Sequence, residues 1–475
     1  MANRNSLIVL LIILNEFYNI SANKDYKYVF VLFRHGARAP FLEKDYFNNE
    51  WEPERLTNVG KRMQYIAGLN DRERYKDLIP TIYNSNDIFA RSTDTNRTIE
   101  SLEARLQGLY SQELQTGPCI KDNQNVDHLL YPSIKPSDNI RNIVKEIGNS
   151  SLPHQTTIAI QHVLYNNQRL DLFNNEKACP GYVGYEKQEN VSKEGIKNMI
   201  EFLNSKNSFD INSKSYITNR DILLDKFNID ILETNINENN KLFLFCDNFI
   251  TNFYNSTNIS YILPKNKYNH ENLYKDSIKF LKNDLFNFKF GSANNYFSSR
   301  LESGYKWRDI LYKIKNRIVL NKNPQTRDAY FYYKAPRLEY YSGHDTSVAA
   351  LLGSLASGFK FDIPDDLNIE FASDVRVELY QNELYEYNID IVYNNFNLLT
   401  VDYYTFEKQV VNKIDMTYDD AKKFCKWEDN NYKNDYNYLI WSKVSLITSI
   451  TTIVLLIILL VSMFAIDNKK QYIFF

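Results

Sequence analysis

Three times along the chain, an apolar run with strand-like composition stops at charged or histidine residues and a helical pattern follows. "KYVFVLF" (27–33) precedes "RHGARAP", "NDIFA" (86–90) precedes "RSTDTNRTIESLEARLQGLY", and "RLEYYSG" (337–343) precedes "HDTSVAALLGSL". After the last two runs, apolar residues recur every three or four positions, which predicts helices. Strand, loop and helix in this order are typical of an α/β sheet, which binds ligands at the carboxyl ends of its strands.

Two further stretches complete the predicted architecture. "DVRVELYQNELYEYNIDIVYN" (374–394) has two alternating runs around "QNEL" and predicts an antiparallel hairpin at the sheet edge. Residues 116–330 are rich in Asn, Lys and Tyr, with helical patterns at 193–205 and 271–290, and predict an inserted, mostly helical cap. The expected fold class is α/β, with a mixed central sheet flanked by helices. Its core would comprise residues 24–115 and 331–425.

Two apolar segments lie outside this core. Residues 1–22 have an early arginine, the run "LIVLLIIL" and a polar end, the layout of a secretory signal cleaved after Ala22. A buried N-terminal strand is the alternative. Residues 444–466 are uncharged and mostly apolar, and as a helix they could cross a bilayer of about 30 Å; a core helix is the alternative. Together the segments predict a type I membrane protein, with 23–443 luminal or extracellular and 467–475 cytoplasmic.

The charge balance limits the classes of binding partner, and the cysteine content favours disulfides over a zinc site. The 475 residues carry 56 Lys+Arg and 58 Asp+Glu, a formal net charge of −2. No global basic excess indicates nucleic acid, so a preference for polyanions would have to be local. All four cysteines lie in the predicted exported part, and their even number makes two disulfides the default: Cys119, Cys179, Cys246 and Cys425. They have no CxxC spacing, which argues against a zinc site.

Several glycosylation sequons fit an exported chain. The candidates are Asn149, Asn190, Asn255 and Asn258. A further sequon at Asn96 lies in "RSTDTNRT", the polar stretch after the second apolar run. A glycan there would crowd a site at the strand ends, so we expect this sequon to be unused.

If the three strands are neighbours, their polar ends converge on one site formed by Arg34, His35, Arg38, Arg91, His344 and Asp345. Three arginines present planar forks that suit a tetrahedral oxyanion such as phosphate. Without a protein anion nearby they would repel one another, and a bound dianion would relieve that repulsion. A neutral histidine beside a phosphoryl group is a candidate nucleophile, and Asp345 could protonate a leaving alcohol in an acidic compartment. From the residues alone, His344 could equally be a second base.

In these motifs the chain resembles the histidine acid phosphatase family, in particular its membrane-anchored lysosomal and prostatic type. The matching stretches run in family order: "RHGARAP" (34–40), "LTNVGKRMQYIAG" (56–68), "RSTDTNRT" (91–98), "YSGHDTSVAAL" (341–351) and "FASDVRVELY" (371–380). The resemblance implies a phosphoglycerate-mutase-like fold and an acid phosphatase that hydrolyses small phosphate monoesters.

The resemblance also implies a role for each site residue. His35 would be phosphorylated, and Asp345 would protonate the leaving group. The phosphate would be held by Arg34, Arg38, Arg91 and His344. Water would then hydrolyse the phosphohistidine, with no metal and no cofactor. Among partners, homodimerisation is one option that the resemblance leaves open.

The sequence departs from the family pattern at two places. Family members commonly carry a P-V-H-T stretch before "CP"; the matching "TTIAIQHV" (156–163) puts Gln161 near its histidine, with His162 beside it. Asp374 stands where a family cysteine often pairs with a mid-chain cysteine, so Cys246 needs another partner. With the resemblance in view, we favour the pairs Cys119–Cys246 and Cys179–Cys425.

The C-terminal "YIFF" (472–475) resembles a Y-x-x-Φ lysosomal sorting signal, with a general aromatic bias as the alternative. We therefore expect a single-pass protein of the lysosome, the vacuole or the cell surface. Two other functions stay open at this point. One is a catalytically inactive relative that serves as a surface receptor or adhesion protein. The other is a narrower phosphatase, such as a phytase or a lysophospholipid phosphatase.

Overall fold

A computed structural model describes residues 24–41, 46–47, 52–110, 160–162, 189–231, 239–255, 259–283, 297–322, 336–360 and 369–415. These residues belong to the first of two compact units, residues 1–421. The second unit, 422–475, lies outside the described residues.

The strands are β1 Asp25–Arg34, β2 Ile88–Ser92, β3 Gln161–His162, β4 Lys206–Asp210, β5 Ser215–Thr218, β6 Leu338–Gly343, β7 Asp374–Gln381, β8 Tyr387–Tyr393 and β9 Phe396–Asp402. Seven of them form one mixed sheet in the order β3-β2-β6-β1-β7-β8-β9, and β4 pairs with β5 in a separate hairpin. The central strand β1 runs parallel to β6 and antiparallel to β7. The predicted mixed sheet is therefore confirmed.

The α-helices are α1 Asn58–Arg74, α2 Asn96–Leu109, α3 Glu189–Asn204, α4 Asn219–Phe227, α5 Asn239–Tyr254, α6 His270–Asn283, α7 Phe297–Lys322, α8 Asp345–Phe359 and α9 Tyr403–Gln409. A short 3₁₀ helix, Ile259–Tyr261, and a π-helical turn, Val410–Ile414, complete the helical elements of the described residues.

Helices cover both faces of the sheet, and this explains the unbroken apolar run of β1. Val31 and Phe33 pack in one cluster with Leu102 of α2, whereas Phe30 packs in another cluster with Leu351 of α8. Alternate side chains of a strand point to opposite faces, so a strand that is buried on both faces is apolar at every position. The polar residues that follow such a strand lie at the edge of the sheet.

Helices α3 to α6 form a cap with its own apolar core, which includes Met199, Phe245 and Leu273. Helix α7 lies within the predicted cap, whose expected end was residue 330, but it packs against the central sheet instead. Its Trp307 and Ile310 are fully buried in the same cluster as β1 and α8. The described part of the cap therefore ends before residue 297.

No helix within the described segments is long and apolar enough to cross a membrane. The predicted signal peptide 1–22, the predicted span 444–466 and the tail 467–475 lie outside those segments. The membrane topology therefore stays a prediction from the sequence.

Candidate active site

The carboxyl ends of β1 and β6 lie side by side, and this pairing brings two of the polar motifs together. Arg34, the last residue of β1, pairs with Gly343, the last residue of β6. The backbone N–H of His35 donates to the carbonyl of Gly343 over 3.0 Å, so His35 and His344 follow neighbouring strands. Their ring centroids are 5.7 Å apart. Strand β2 ends on the other side of β6 and brings the third motif to the same edge.

The loop that follows β1 rests on the first turn of α1. Thr57 caps this helix by accepting a hydrogen bond from the N–H of Gly60, and its own N–H donates to the carbonyl of Ala37. A Cβ atom on Gly36 would overlap the carbonyl oxygen of Gly60. This close approach requires glycine at position 36, and it fixes the turn that carries His35.

His35 is held as a neutral imidazole with one bare nitrogen. Its Nδ1 lies 2.8 Å from the carbonyl oxygen of Gly36. A carbonyl only accepts hydrogen bonds, so Nδ1 carries the proton and Nε2 keeps its lone pair. Burial of the ring, followed by the positive charges of Arg34 and Arg97, holds the pKa of His35 well below its ordinary range. The ring is therefore available as a nucleophile even in acidic solution.

Two arginines next to the histidines are anchored through their terminal nitrogens. Nη2 of Arg34 lies 2.9 Å from a carboxylate oxygen of Asp345. Nη1 of Arg97 donates to Glu54 over 2.5 Å, and its Nη2 lies 3.5 Å from Nδ1 of His344. Both guanidinium groups are thus fixed in orientation beside the reactive rings.

Arg38 is anchored in the same way. It donates from Nη2 and Nη1 to the two carboxylate oxygens of Asp247, over 2.6 and 3.2 Å, and its guanidinium lies 3.7 Å from the ring centre of Phe41. In Arg34, Arg38 and Arg97 alike, the buried Nε has no hydrogen-bond partner within the described segments. Three unsatisfied Nε–H donors near a neutral histidine are suited to a tetrahedral anion.

The charge balance of the site differs from the sequence-based expectation. We expected repulsion among the site arginines that a bound dianion would relieve, but each of Arg34, Arg38 and Arg97 pairs with one carboxylate: Asp345, Asp247 and Glu54. The last two lie outside the recognised motifs, one in the cap helix α5 and one in the loop before α1. Their role depends on tertiary contacts that no local pattern reveals.

Arg91 was predicted as a phosphate ligand, and the structure places it elsewhere. Side chains alternate along β2, so Arg91 shares a face with Phe89, which packs against Tyr341. Arg91 hydrogen-bonds to Tyr341 and interacts electrostatically with Asp309 in α7. The third arginine of the site is instead Arg97, the second residue of α2, in the same "RSTDTNRT" motif. Its position in the first turn of the predicted helix was the signal that could have identified it, because helix N-termini meet the strand ends there.

His344 and Asp345 stand at the start of α8. Burial, followed by the charge of Arg97, lowers the pKa of His344 to about 3, so this ring is also neutral in mild acid. The hydroxyl of Thr93 lies 3.1 Å from its Nε2. Asp345 accepts a hydrogen bond from the N–H of Thr346 and is 39% exposed, so it lies on the open side of the site.

Other predicted residues fall in varied places. Cys246 is buried in α5, whereas Cys119, Cys179 and Cys425 lie outside the described residues, so the disulfide pairs stay predictions. Asp374, in place of the family cysteine, forms buried ion pairs with Arg105 and Arg376.

The remaining sequence-based candidates are only partly described. Gln161 and His162 form β3, next to Arg91 and Ser92 of β2. Asn149 and Asn258 lie outside the described segments, and Asn190 lies in α3. Asn255 is described in full: its side-chain amide donates to the carbonyls of Arg38 and Thr251, over 3.0 and 2.8 Å.

A neutral histidine among anchored arginines, at the carboxyl edge of a mixed sheet, defines a phosphate-handling class of protein. The sequence profile of the histidine phosphatase superfamily (branch 2) matches residues 41–394. The chain belongs to this family. A solved phytase of Klebsiella sp. ASR1 has the same fold, with a TM-score of 0.50, 10% identity, and coverage of 83% of this chain and 97% of the phytase.

Curated relatives match over shorter stretches. A lysosomal acid phosphatase of Xenopus laevis is 33% identical over 119 residues, which is 24% of this chain and 27% of the relative. The human lysosomal acid phosphatase is 36% identical over 89 residues, 18% of this chain and 21% of the relative. Bovine prostatic acid phosphatase is 30% identical over 115 residues, 23% and 30% of the two chains. The chain thus spans less than a third of the length of these relatives.

Proposed function

We propose that this protein is an acid phosphatase that hydrolyses phosphate monoesters through a phosphohistidine on His35. The observation that carries the proposal is the Nδ1–H of His35 held by the carbonyl of Gly36, which leaves the lone pair of Nε2 for attack on a ring that experiences the positive charges of Arg34, Arg97 and Arg38. The names of the lysosomal and prostatic relatives support the same reaction class.

In the first step, Nε2 of His35 attacks phosphorus and the bond from phosphorus to the ester oxygen breaks. The leaving oxygen takes a proton from the carboxylic acid of Asp345, so the alcohol departs neutral. Arg34, Arg38 and Arg97 stabilise the charge on the phosphoryl oxygens as the transition state forms.

In the second step, water attacks the phosphohistidine and gives a proton to the Asp345 carboxylate. The bond between phosphorus and Nε2 breaks, which releases phosphate and restores neutral His35 and protonated Asp345. No metal ion takes part in this proposal. Because the buried His35 resists protonation while Asp345 must start protonated, an acidic compartment suits both groups.

The decisive experiment traps the intermediate. Brief reaction with a ³²P-labelled phosphomonoester, followed by denaturation, should leave an acid-labile and alkali-stable label on His35. The variant His35→Ala should neither carry label nor turn over substrate. Full activity in a correctly folded His35→Ala protein would overturn the proposal, and so would a folded wild-type protein without turnover at any pH, which would instead favour a receptor or adhesion role.

Asp345→Asn tests the acid role separately. The variant should slow substrates with poor alkyl leaving groups by roughly 10²–10⁴-fold, the usual range for general acid catalysis. Aryl esters, whose leaving groups need less protonation, should be slowed much less. Equal losses on both kinds of substrate would remove Asp345 from this role.

The location of the protein is proposed from the sequence segments. The predicted signal 1–22, the predicted span 444–466 and the names of the lysosomal relatives support a single-pass type I protein with a luminal or extracellular catalytic domain. Glycosidase and protease-protection assays on intact cells would test this topology.

A further inference from the structure

Two residues of the cap, Asp247 near the middle of α5 and Asn255 just after it, contact Arg38. The carboxylate of Asp247 binds both terminal nitrogens of the Arg38 side chain and also accepts the backbone N–H of Phe41, over 3.2 Å. The side-chain amide of Asn255 donates to the backbone carbonyl of Arg38 over 3.0 Å. Arg38 thus links the cap to the loop that follows β1 through both its side chain and its backbone.

The contacts of Arg38 leave one edge of its guanidinium open. Nη1 donates to the carbonyl of Ala39 as well as to Asp247, so both of its hydrogens are used. Nη2 donates one of its two hydrogens to Asp247, and Nε has no hydrogen-bond partner among the residues described. The Nε–H and the second Nη2–H lie along the same edge and form a fork that matches two phosphoryl oxygens.

The ion pair between Arg38 and Asp247 is deeply buried. The side chains of Arg38 and Asp247 are 2% and 6% exposed. The guanidinium also stacks on Phe41, which in turn stacks on Phe243 of α5 with ring centroids 6.3 Å apart. A carboxylate buried against a guanidinium restricts its rotation far more than a surface pair would.

We propose that Asp247 is a positioning residue for the phosphatase reaction, which turns the Nε–Nη2 edge of Arg38 toward the phosphoryl group, with Asn255 as a secondary support. This inference rests on the proposed function, because it assigns Arg38 to the phosphate. Misplacement of such a group by about 1 Å can cost roughly 10²-fold in rate. The cap then acts on the chemical step and not only on access to the site.

The test measures binding of inorganic phosphate by calorimetry, which needs no turnover, together with kcat and KM. Asp247→Asn keeps the size of the side chain but turns an amide toward the guanidinium, and should weaken phosphate binding and kcat/KM by roughly 10–100-fold, as losses of supporting contacts commonly do. Glu201→Gln, which removes an exposed cap carboxylate paired with Lys279, is the matched control and should leave both unchanged.

A double-mutant cycle separates positioning from general support of the fold. If Asp247 acts through Arg38, then Asp247→Asn should have almost no further effect in an Arg38→Gln background. The same fold-loss in both backgrounds would overturn the inference, and so would wild-type phosphate affinity in the single variant. Wild-type protein that binds phosphate without turnover would instead refute the proposed function alone.

Should Asp247→Asn fail to fold, Asn255→Ala provides the second test. It removes the support of the Arg38 carbonyl but leaves the buried ion pair. We expect a smaller loss of phosphate affinity, about 3–10-fold, that also disappears in the Arg38→Gln background. An unchanged affinity, or a loss that persists without Arg38, would contradict the positioning role.

Discussion

Keeping His344 neutral inside the site should make the fold less stable in acid, by an amount that the structure predicts. Burial and the charge of Arg97 lower the pKa of this ring from 6.5 to about 3. Between these two pH values the unfolded chain binds a proton that the folded chain does not. The free energy of unfolding therefore falls as the pH falls, and the contribution is absent well above pH 6.5.

The magnitude follows from 1.36 kcal/mol per pH unit. At about pH 5, roughly 1.5 units below the pKa of this histidine in the unfolded chain, His344 should lower the free energy of unfolding by about 2 kcal/mol. Near pH 3 the loss should rise to about 4 kcal/mol. Replacing it with a side chain that does not titrate removes this dependence. Between about pH 7.5 and about pH 5, the free energy of unfolding of His344→Asn should therefore fall by about 2 kcal/mol less than that of the wild type.

Urea unfolding at the two pH values, without phosphate, measures this difference. Any effect of the substitution that does not depend on pH cancels, because only the change with pH is compared. His270→Asn, in the cap and hydrogen-bonded through Nε2 to the carbonyl of Leu263, is the matched histidine control. Parallel pH dependences of wild type and His344→Asn would refute the reasoning that this ring is buried in neutral form.

Three further outcomes are expected. Arg97→Gln should lower kcat/KM by roughly 10–100-fold through loss of a charge-assisted contact to phosphate, whereas Arg91→Gln should change it by no more than a few-fold. Comparable losses in both variants would contradict the assignment of Arg97, and not Arg91, to the phosphate. Gly36→Ala should abolish most activity while the protein stays folded, because its methyl group meets the Gly60 carbonyl; activity and a circular dichroism spectrum check this, and near-normal turnover would argue against the close approach. Asn255 should carry no glycan, because both hydrogens of its amide already bind carbonyls. Mass spectrometry of tryptic peptides measures the occupancy of this sequon, and full occupancy would refute the prediction.

The patterns that were read correctly are those in which local sequence and burial agree. The three apolar runs correspond to β1, β2 and β6, and the alternating stretch 374–394 contains β7 and β8. The parallel pairing of β1 with β6 then places Arg34, His35 and His344 together. A continuous apolar run indicates a strand buried on both faces, and the polar residues at its end therefore stand out in the sequence.

The errors arose where the outcome depends on which face a side chain takes. Arg91 and Arg97 lie in one motif, and only the strand period and the helix start separate their destinations. Helix α7 was assigned to the cap because residues 116–330 share a composition rich in Asn, Lys and Tyr. Such composition does not mark surface positions: Lys306 of α7 is 2% exposed and lies 3.6 Å from the ring centre of Tyr341.

The paired carboxylates bear on why such a site would work in acid. With both histidines neutral, the three arginines are balanced by Asp345, Asp247 and Glu54, so these groups together carry no net charge. Protonation of Asp345, which the acid role requires, leaves one net positive charge. Below about pH 6 a phosphate monoester is largely a monoanion, so its charge would then match that of the site. In the proposed mechanism, acid would therefore suit protein and substrate together: the same proton on Asp345 would protonate the leaving group and release Arg34 for the phosphoryl oxygens.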